Sequence, residues 1–138
     1  MNDFVVGKKF DFGELILSEQ EIIDFAKAFD PLDFHTNREV AAKTIFKGLV
    51  SSGPHIFNLI YRREWLPRFG KTVICGTGIS NWKFIKPVYA GQKIGVEFTV
   101  LSMQPKKEIE GVIISWLFEF KNETGLKLSC FSQIRGKR

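Results

Sequence analysis

The chain has 138 residues, of which 44% are apolar and 25% are charged, and it includes 14 Phe and 3 Trp. These values are typical of one folded domain, and so many aromatic side chains exclude a disordered chain. No apolar run reaches the roughly 18 to 20 residues that span a bilayer, and charged residues interrupt the region where a signal peptide would lie. We therefore predict one domain over residues 1–138, located in the cytoplasm and without a membrane partner.

The net charge is +5, from 20 basic and 15 acidic residues. Three of the basic residues, Arg135, Lys137 and Arg138, lie in the last four positions. Such a terminus is most often simply solvated. The basic pairs elsewhere lack the interleaved aromatic residues of an RNA-binding sheet. We predict no nucleic-acid partner, and binding to nucleic acid stays the last of the alternatives.

The first part of the chain is predicted to form a strand and an amphipathic helix. The strand covers residues 10–17, and Ser18 followed by Glu21 forms a capping box that begins the helix. The helix ends at Asp30, because Pro31 disfavours the α conformation of the residue before it. One apolar face at the helical period is formed by Ile22, Phe25, Ala26 and Phe29.

Two more helices are expected before residue 70. A short one covers about 38–44, with Thr36 or Asn37 as its cap. A longer one begins at Gly53-Pro54, where proline fits the first helical turn. Its first two turns are apolar nearly all round, which indicates a buried helix; the apolar residues are Ile56, Phe57, Leu59, Ile60 and Tyr61.

After Gly70 the period of the apolar residues changes towards two, which predicts strands. The alternating rows are Val96, Phe98 and Val100; Val112, Ile114, Trp116, Phe118 and Phe120; and Leu126, Leu128 and Cys130. Short turns at Gly91, Gly111 and 122–125 favour antiparallel neighbours. Helices first and strands later indicate an α+β fold, with an antiparallel sheet packed on a buried helix.

The segment from Phe25 to His55 carries a family resemblance. It contains Asp30-Pro31-Leu32-Asp33-Phe34-His35 and, later, Ser51-Ser52-Gly53-Pro54. This order resembles the hydratase motif of the MaoC-like acyl dehydratases, the (R)-specific enoyl-CoA hydratase branch of the hot-dog fold; residues 76–88 and Gly91 look like a strand and turn of the same family. The resemblance implies a curved antiparallel sheet wrapped around a central helix over about 54–69, and a homodimer.

The resemblance also implies an activity. Family members add water reversibly across the double bond of a trans-2-enoyl thioester, carried by CoA or an acyl carrier protein, and need no metal or redox cofactor. Asp30 would act as the base, with His35 sharing the water, and the same pair would protonate the α-carbon. The N–H of Gly53, at the positive end of a helix, would receive the thioester oxygen.

The chain departs from the family pattern at two places. Leu32-Asp33 stands where many members have Asn-Pro, and Ser52-Gly53 stands where many have His-Gly. Asp33 therefore adds an acidic group near Asp30. Pro54 removes the N–H next to Gly53.

Other interpretations stay open. A hot-dog thioesterase carries its carboxylate on the central helix, where the only acid is Glu64, beyond the site end. The departures from the family pattern also leave open a non-catalytic acyl-binding or partner subunit. Asp30, Asp33, His35 and His55 are also candidate metal ligands, although they lack HxxxH or HExxH spacing. His55 itself is predicted to lie on the helix surface or in an interface.

The two cysteines, Cys75 and Cys130, fit neither a disulfide framework nor a zinc site. We therefore expect both to behave as small buried apolar residues.

Overall fold

The structure is a computed structural model that describes residues 5–122 and 125–137, with side chains described over 5–108 and 110–121. The described residues form five strands, β1 (Lys9–Leu15), β2 (Val73–Phe84), β3 (Ile94–Lys106), β4 (Gly111–Asn122) and β5 (Gly125–Lys137). Its α-helices are α1 (Glu19–Phe29), α2 (Asp33–Thr36), α3 (Arg38–Ala42), α4 (Gly53–Ile60) and α5 (Leu66–Phe69).

Helix α1 begins and ends where the sequence predicts. The Glu21 N–H donates to Ser18 Oγ and the Ser18 N–H donates to Glu21 Oε1, both at 3.1 Å, so the capping box is confirmed. The predicted apolar face is only partly correct, because Phe29 is 76% exposed while Ile22 is fully buried. Phe29 lies at the outer end of the helix and packs only on the Phe25 ring among the described aromatic rings.

The segment between α1 and the central helix contains one helix more than predicted. The short α2 forms directly after Pro31, and the N–H of His35 donates to the carbonyl of Leu32 at its start. Helix α3 is the predicted short helix, and Asn37 is its cap, since its side chain accepts from the N–H groups of Glu39 and Val40. These two helices bring His35 back towards the end of α1.

The central helix consists of α4, a π turn at Tyr61–Trp65 and α5. The N–H of Leu66 donates to the carbonyl of Tyr61, five residues earlier. Pro67 explains this widening, because it lacks an N–H and its ring would crowd a carbonyl of the preceding turn. The predicted extent of about 54–69 is confirmed, and the apolar first turns are buried as expected at Ile56, Phe57 and Ile60.

All five strands form one antiparallel sheet in the order β1-β3-β4-β5-β2. The predicted apolar row of β4 is confirmed; each of Val112, Ile114, Trp116, Phe118 and Phe120 is buried. Phe118 stacks on Phe98 of β3 and on Phe57 of the central helix, with ring centroids 4.1 and 5.2 Å apart. The sheet therefore packs one face on the central helix. The predicted row of Leu126, Leu128 and Cys130 lies outside the described side chains.

Strand β2 forms one edge of the sheet and is exposed along most of its length. Cys75 is exposed on this strand, so the prediction that it is buried is wrong. Its edge position agrees with this exposure, since among the described strands only β5 pairs with β2. Cys130 lies outside the described side chains.

Over the described part of the chain, no helix has the length and apolar character needed to cross a membrane.

Candidate active site

A cavity of about 440 Å³ opens beside the first turn of the central helix. Three segments form its walls: the junction of α1 and α2, the loop that leads into α4, and the chain that follows β2. Most of the lining is apolar and comes from Phe34, Phe46, Val50, Ile56, Phe84, Ile85, Pro87 and Val88. The polar groups are few, which is typical of a site that binds an apolar ligand in a fixed orientation.

All three residues predicted to form the site line this cavity. Asp30 is the residue that ends α1, and its carboxylate is about one-third exposed. His35 lies on α2 with its side chain 8% exposed, and its Nε2 is 3.4 Å from Asp30 Oδ2. Gly53 is the first residue of α4. The structure thus brings together groups that are 23 positions apart in the sequence.

Hydrogen bonding fixes which nitrogen of His35 faces the cavity. The Nδ1 atom lies 2.7 Å from the carbonyl oxygen of Val50. A carbonyl only accepts hydrogen bonds, so Nδ1 carries a proton. In the neutral imidazole Nε2 is then the acceptor, and this is the nitrogen next to Asp30. Nε2 and the carboxylate are thus two neighbouring hydrogen-bond acceptors, to which one water molecule can donate.

Ser52 was not among the predicted site residues, but it holds the carboxylate directly. Its hydroxyl is fully buried and donates to Asp30 Oδ2 over 2.8 Å. This oxygen is also the one nearest His35, so Oδ1 is left to face other groups. No short-range pattern in the sequence signals a contact between residues 22 positions apart; only the departure from His-Gly drew attention to Ser52.

Gly53 presents a backbone N–H at the beginning of the central helix. Among the described residues it has no acceptor, and the next residue, Pro54, has no N–H. The N–H of His55 donates to the carbonyl of Ser52 at 3.1 Å. Gly53 is therefore the amide of this turn that is available to a ligand, at the end where the helix dipole favours negative charge.

Comparison with known proteins identifies the family of the chain. The family model described as "MaoC like domain" matches residues 3–116. The chain belongs to the MaoC-like domain family. It is 31% identical over 115 residues to the protein YdeM of Bacillus subtilis (strain 168), covering 82% of this chain and 81% of YdeM. The expected family is thereby confirmed.

Solved structures confirm the hot-dog fold. This MaoC-like domain superposes on a MaoC-like dehydratase from Rhodospirillum rubrum with a TM-score of 0.85 and 27% identity, covering 100% of this chain and 96% of that one. It superposes on the (R)-hydratase PhaJ1 from Pseudomonas aeruginosa with a TM-score of 0.79 and 22% identity, covering 99% and 84%. At this identity the second likeness concerns the fold alone.

His55 of the MaoC-like domain is buried. Of its two predicted places, the helix surface is therefore wrong, and a place in an interface stays a prediction. Its ring stacks on Phe25 with centroids 4.2 Å apart and an interplanar angle of 1°. The first turn of α4 packs on α1, and this turns His55 inwards. Its Nδ1 has no hydrogen-bond partner among the described groups. Burial lowers the pKa of His55 below its usual value near 6.5, and the carboxylate of Glu21 only partly offsets this.

The remaining acidic candidates lie apart from the cavity. Asp33 is exposed in the first turn of α2, and Glu64 lies beside Arg63 on the π turn, 3.6 Å from it. Asp30 is the only carboxylate in the described lining. No three described His, Cys, Asp or Glu residues form a group that could hold a metal ion. The four residues considered as metal ligands are therefore not brought together.

Proposed function

We propose that this protein catalyses the reversible hydration of trans-2-enoyl thioesters to (R)-3-hydroxyacyl thioesters. The observation that carries the proposal is the pairing of Asp30 and His35 at 3.4 Å in the wall of an apolar cavity that Gly53 also lines. Membership of a dehydratase and hydratase family supports it. The similar protein from Rhodospirillum rubrum is described as a dehydratase, and PhaJ1 as an (R)-hydratase.

In the proposed hydration, Asp30 and His35 hold one water molecule beside the β-carbon. As the water oxygen bonds to that carbon, Asp30 takes a proton from it, while Nε2 of His35 accepts its other hydrogen as a hydrogen bond. The electron pair of the double bond moves towards the thioester. The oxygen of the thioester becomes enolate-like, and the Gly53 N–H donates to it.

The proton held by Asp30 then passes to the α-carbon, and the carbon–oxygen double bond of the thioester is restored. Both atoms added to the double bond thus come from one water molecule, on one face of the substrate. No electrons are exchanged with another molecule, so the reaction as proposed needs no redox cofactor. The reverse sequence eliminates water from the 3-hydroxyacyl thioester.

Ser52 has a positioning role in this scheme. Its hydroxyl holds Oδ2 of Asp30 at 2.8 Å, which leaves Oδ1 to take the proton from water. The serine that replaces the histidine of many relatives therefore keeps a hydrogen-bond donor beside the carboxylate. Pro54 leaves the Gly53 amide as the donor to the enolate oxygen.

The partners follow from the same chemistry. The acyl group would enter the apolar cavity, while the thioester carrier, CoA or an acyl carrier protein, would stay at its mouth. The expected location of the protein in this proposal is the cytoplasm.

The open edge of the sheet favours a homodimer. Strand β2 has twelve residues and exposes Ile74 and Ile79 to 45% and 47%. A long exposed apolar edge readily pairs with another strand. Sedimentation of the purified chain should therefore give twice the mass of 15.8 kDa, and Ile79→Lys should shift the population towards monomer; a monomeric wild type contradicts this part of the proposal.

One assay tests the activity. Purified protein is offered trans-2-enoyl-CoA of several chain lengths, and loss of the conjugated thioester absorbance is followed together with the release of free thiol. The proposal expects hydration without thiol release, abolished by Asp30→Asn and unchanged by the matched control Asp33→Asn. Thiol release would indicate a thioesterase instead, and binding without either reaction would indicate an acyl-binding subunit.

A further inference from the structure

Phe84 occupies an unusual position for an aromatic residue. It is the last residue of β2, it is 57% exposed, and its ring nevertheless forms part of the cavity wall. Trp82 packs on it edge to face, with centroids 5.7 Å apart. Its ring is thus held beside the cavity by packing on Trp82 rather than by burial in the core.

The ring lies directly against Gly53. A Cβ atom built on Gly53 would be 2.5 Å from Cε1 of Phe84 and 2.6 Å from its Cδ1 and Cζ. Real atoms do not approach so closely, so the ring fits there because residue 53 has no side chain. The space beside the Gly53 amide is thus narrow, with the helix backbone on one side and the phenyl ring on the other.

We propose that Phe84 selects unbranched substrates by narrowing the slot at the α-carbon. The inference rests on the proposed function, in which the thioester oxygen accepts from the Gly53 N–H. The α-carbon is bonded to the same carbonyl carbon and must lie between Gly53 and the Asp30–His35 pair. A methyl group on that carbon would meet the wall that Phe84 forms, whereas a hydrogen would not.

The preferred substrates are therefore straight-chain 2-enoyl thioesters, and 2-methyl-branched ones are rejected. A single methyl group in an apolar site changes discrimination by about 10- to 200-fold. Removing the ring should widen the slot and reduce this discrimination. Since Phe84 is half exposed at the end of an edge strand, its replacement leaves the buried core intact.

The test compares crotonyl-CoA with 2-methylcrotonyl-CoA. The ratio of their kcat/KM values is measured for the wild type, Phe84→Leu and Phe84→Ala, so that the intrinsic reactivity of each substrate cancels between proteins. We expect the preference for crotonyl-CoA to fall at least about tenfold in F84A, with F84L between. The matched control is Phe29→Ala, which removes an exposed ring outside the cavity lining and should leave the ratio as in the wild type.

A binding measurement separates this inference from the proposed reaction. The Kd values of butyryl-CoA and 2-methylbutyryl-CoA, which differ only by an α-methyl branch, are measured by calorimetry for the same proteins, without turnover. The wild type should prefer butyryl-CoA, and F84A should lose at least about tenfold of that preference. If binding behaves so but hydration is absent, only the proposed reaction fails. An unchanged preference in F84A and F84L overturns the role of Phe84, and failure to bind either thioester overturns both proposals.

Discussion

His35 and His55 lie on different sides of the first turn of the central helix, and they have different neighbours. His35, on the cavity side, donates from Nδ1 to the carbonyl of Val50 and places Nε2 beside Asp30. His55, on the side of α1, stacks on Phe25, and its Nδ1 has no described partner. Their exposed fractions are almost equal, 6% and 5%.

Burial alone therefore does not distinguish a reactive histidine from a structural one. What differs is the set of hydrogen bonds, which in His35 fixes the protonated nitrogen and aims the other at a carboxylate. His55 is oriented by packing, and burial holds it neutral. We interpret the first as part of a proton-transfer site and the second as part of the interface between two helices.

The largest expected effect comes from replacing His35, the histidine that we interpret as part of the proton-transfer site. His35→Ala removes the group that orients water, and kcat for enoyl-CoA hydration should fall at least about a hundredfold. His55→Leu serves as the control, and its kcat should stay within about threefold of the wild type, since it lies outside the cavity lining. Equal losses of kcat in His35→Ala and His55→Leu would contradict the different roles that we give to the two histidines.

A smaller effect is expected from removing the hydroxyl of Ser52, which orients the Asp30 carboxylate. Ser52→Ala removes the hydroxyl that donates to Oδ2, so the carboxylate is free to turn away from the water. We expect kcat to fall about tenfold, which corresponds to roughly 1.4 kcal/mol, with a smaller change in KM. Steady-state kinetics measure both constants. A rise in KM with kcat unchanged would contradict the positioning role.

The smallest effect concerns His55 and the pH dependence of stability. Because its pKa is lowered in the folded protein, the unfolded chain binds this proton more readily, and the folded state loses stability as pH falls below about 6.5. His55→Leu should weaken this loss. Urea unfolding at pH 7.5 and pH 5 measures the free energy of unfolding of both proteins. An equal loss in the variant would indicate that His55 does not titrate in this way.

Features set by neighbouring residues could be predicted from the sequence. The capping box of Ser18 and Glu21 and the end of α1 before Pro31 follow from contacts within a few positions. The apolar row of β4 follows from strict alternation on a strand with one face in the core. The family motif identified Asp30, His35 and Gly53, which the structure places around one cavity.

Features set by tertiary packing could not be predicted from the sequence. The bond from Ser52 to Asp30 and the contact of Phe84 with Gly53 join residues 22 and 31 positions apart, and no periodic pattern marks them. The sequence predicts a buried Cys75 because cysteine is a small apolar residue, and residue type alone does not reveal whether its strand lies at the edge or in the centre of the sheet. Only the strand order shows that β2 is the edge.

The most direct test of the central claim is a crystal structure of the Asp30→Asn variant with a 3-hydroxyacyl-CoA bound. The account predicts that the 3-hydroxyl oxygen lies within hydrogen-bond distance of both His35 Nε2 and the side chain at position 30. It also predicts that the thioester oxygen accepts from the Gly53 N–H. A thioester bound with its 3-hydroxyl away from His35, or with its carbonyl away from Gly53, would contradict the account.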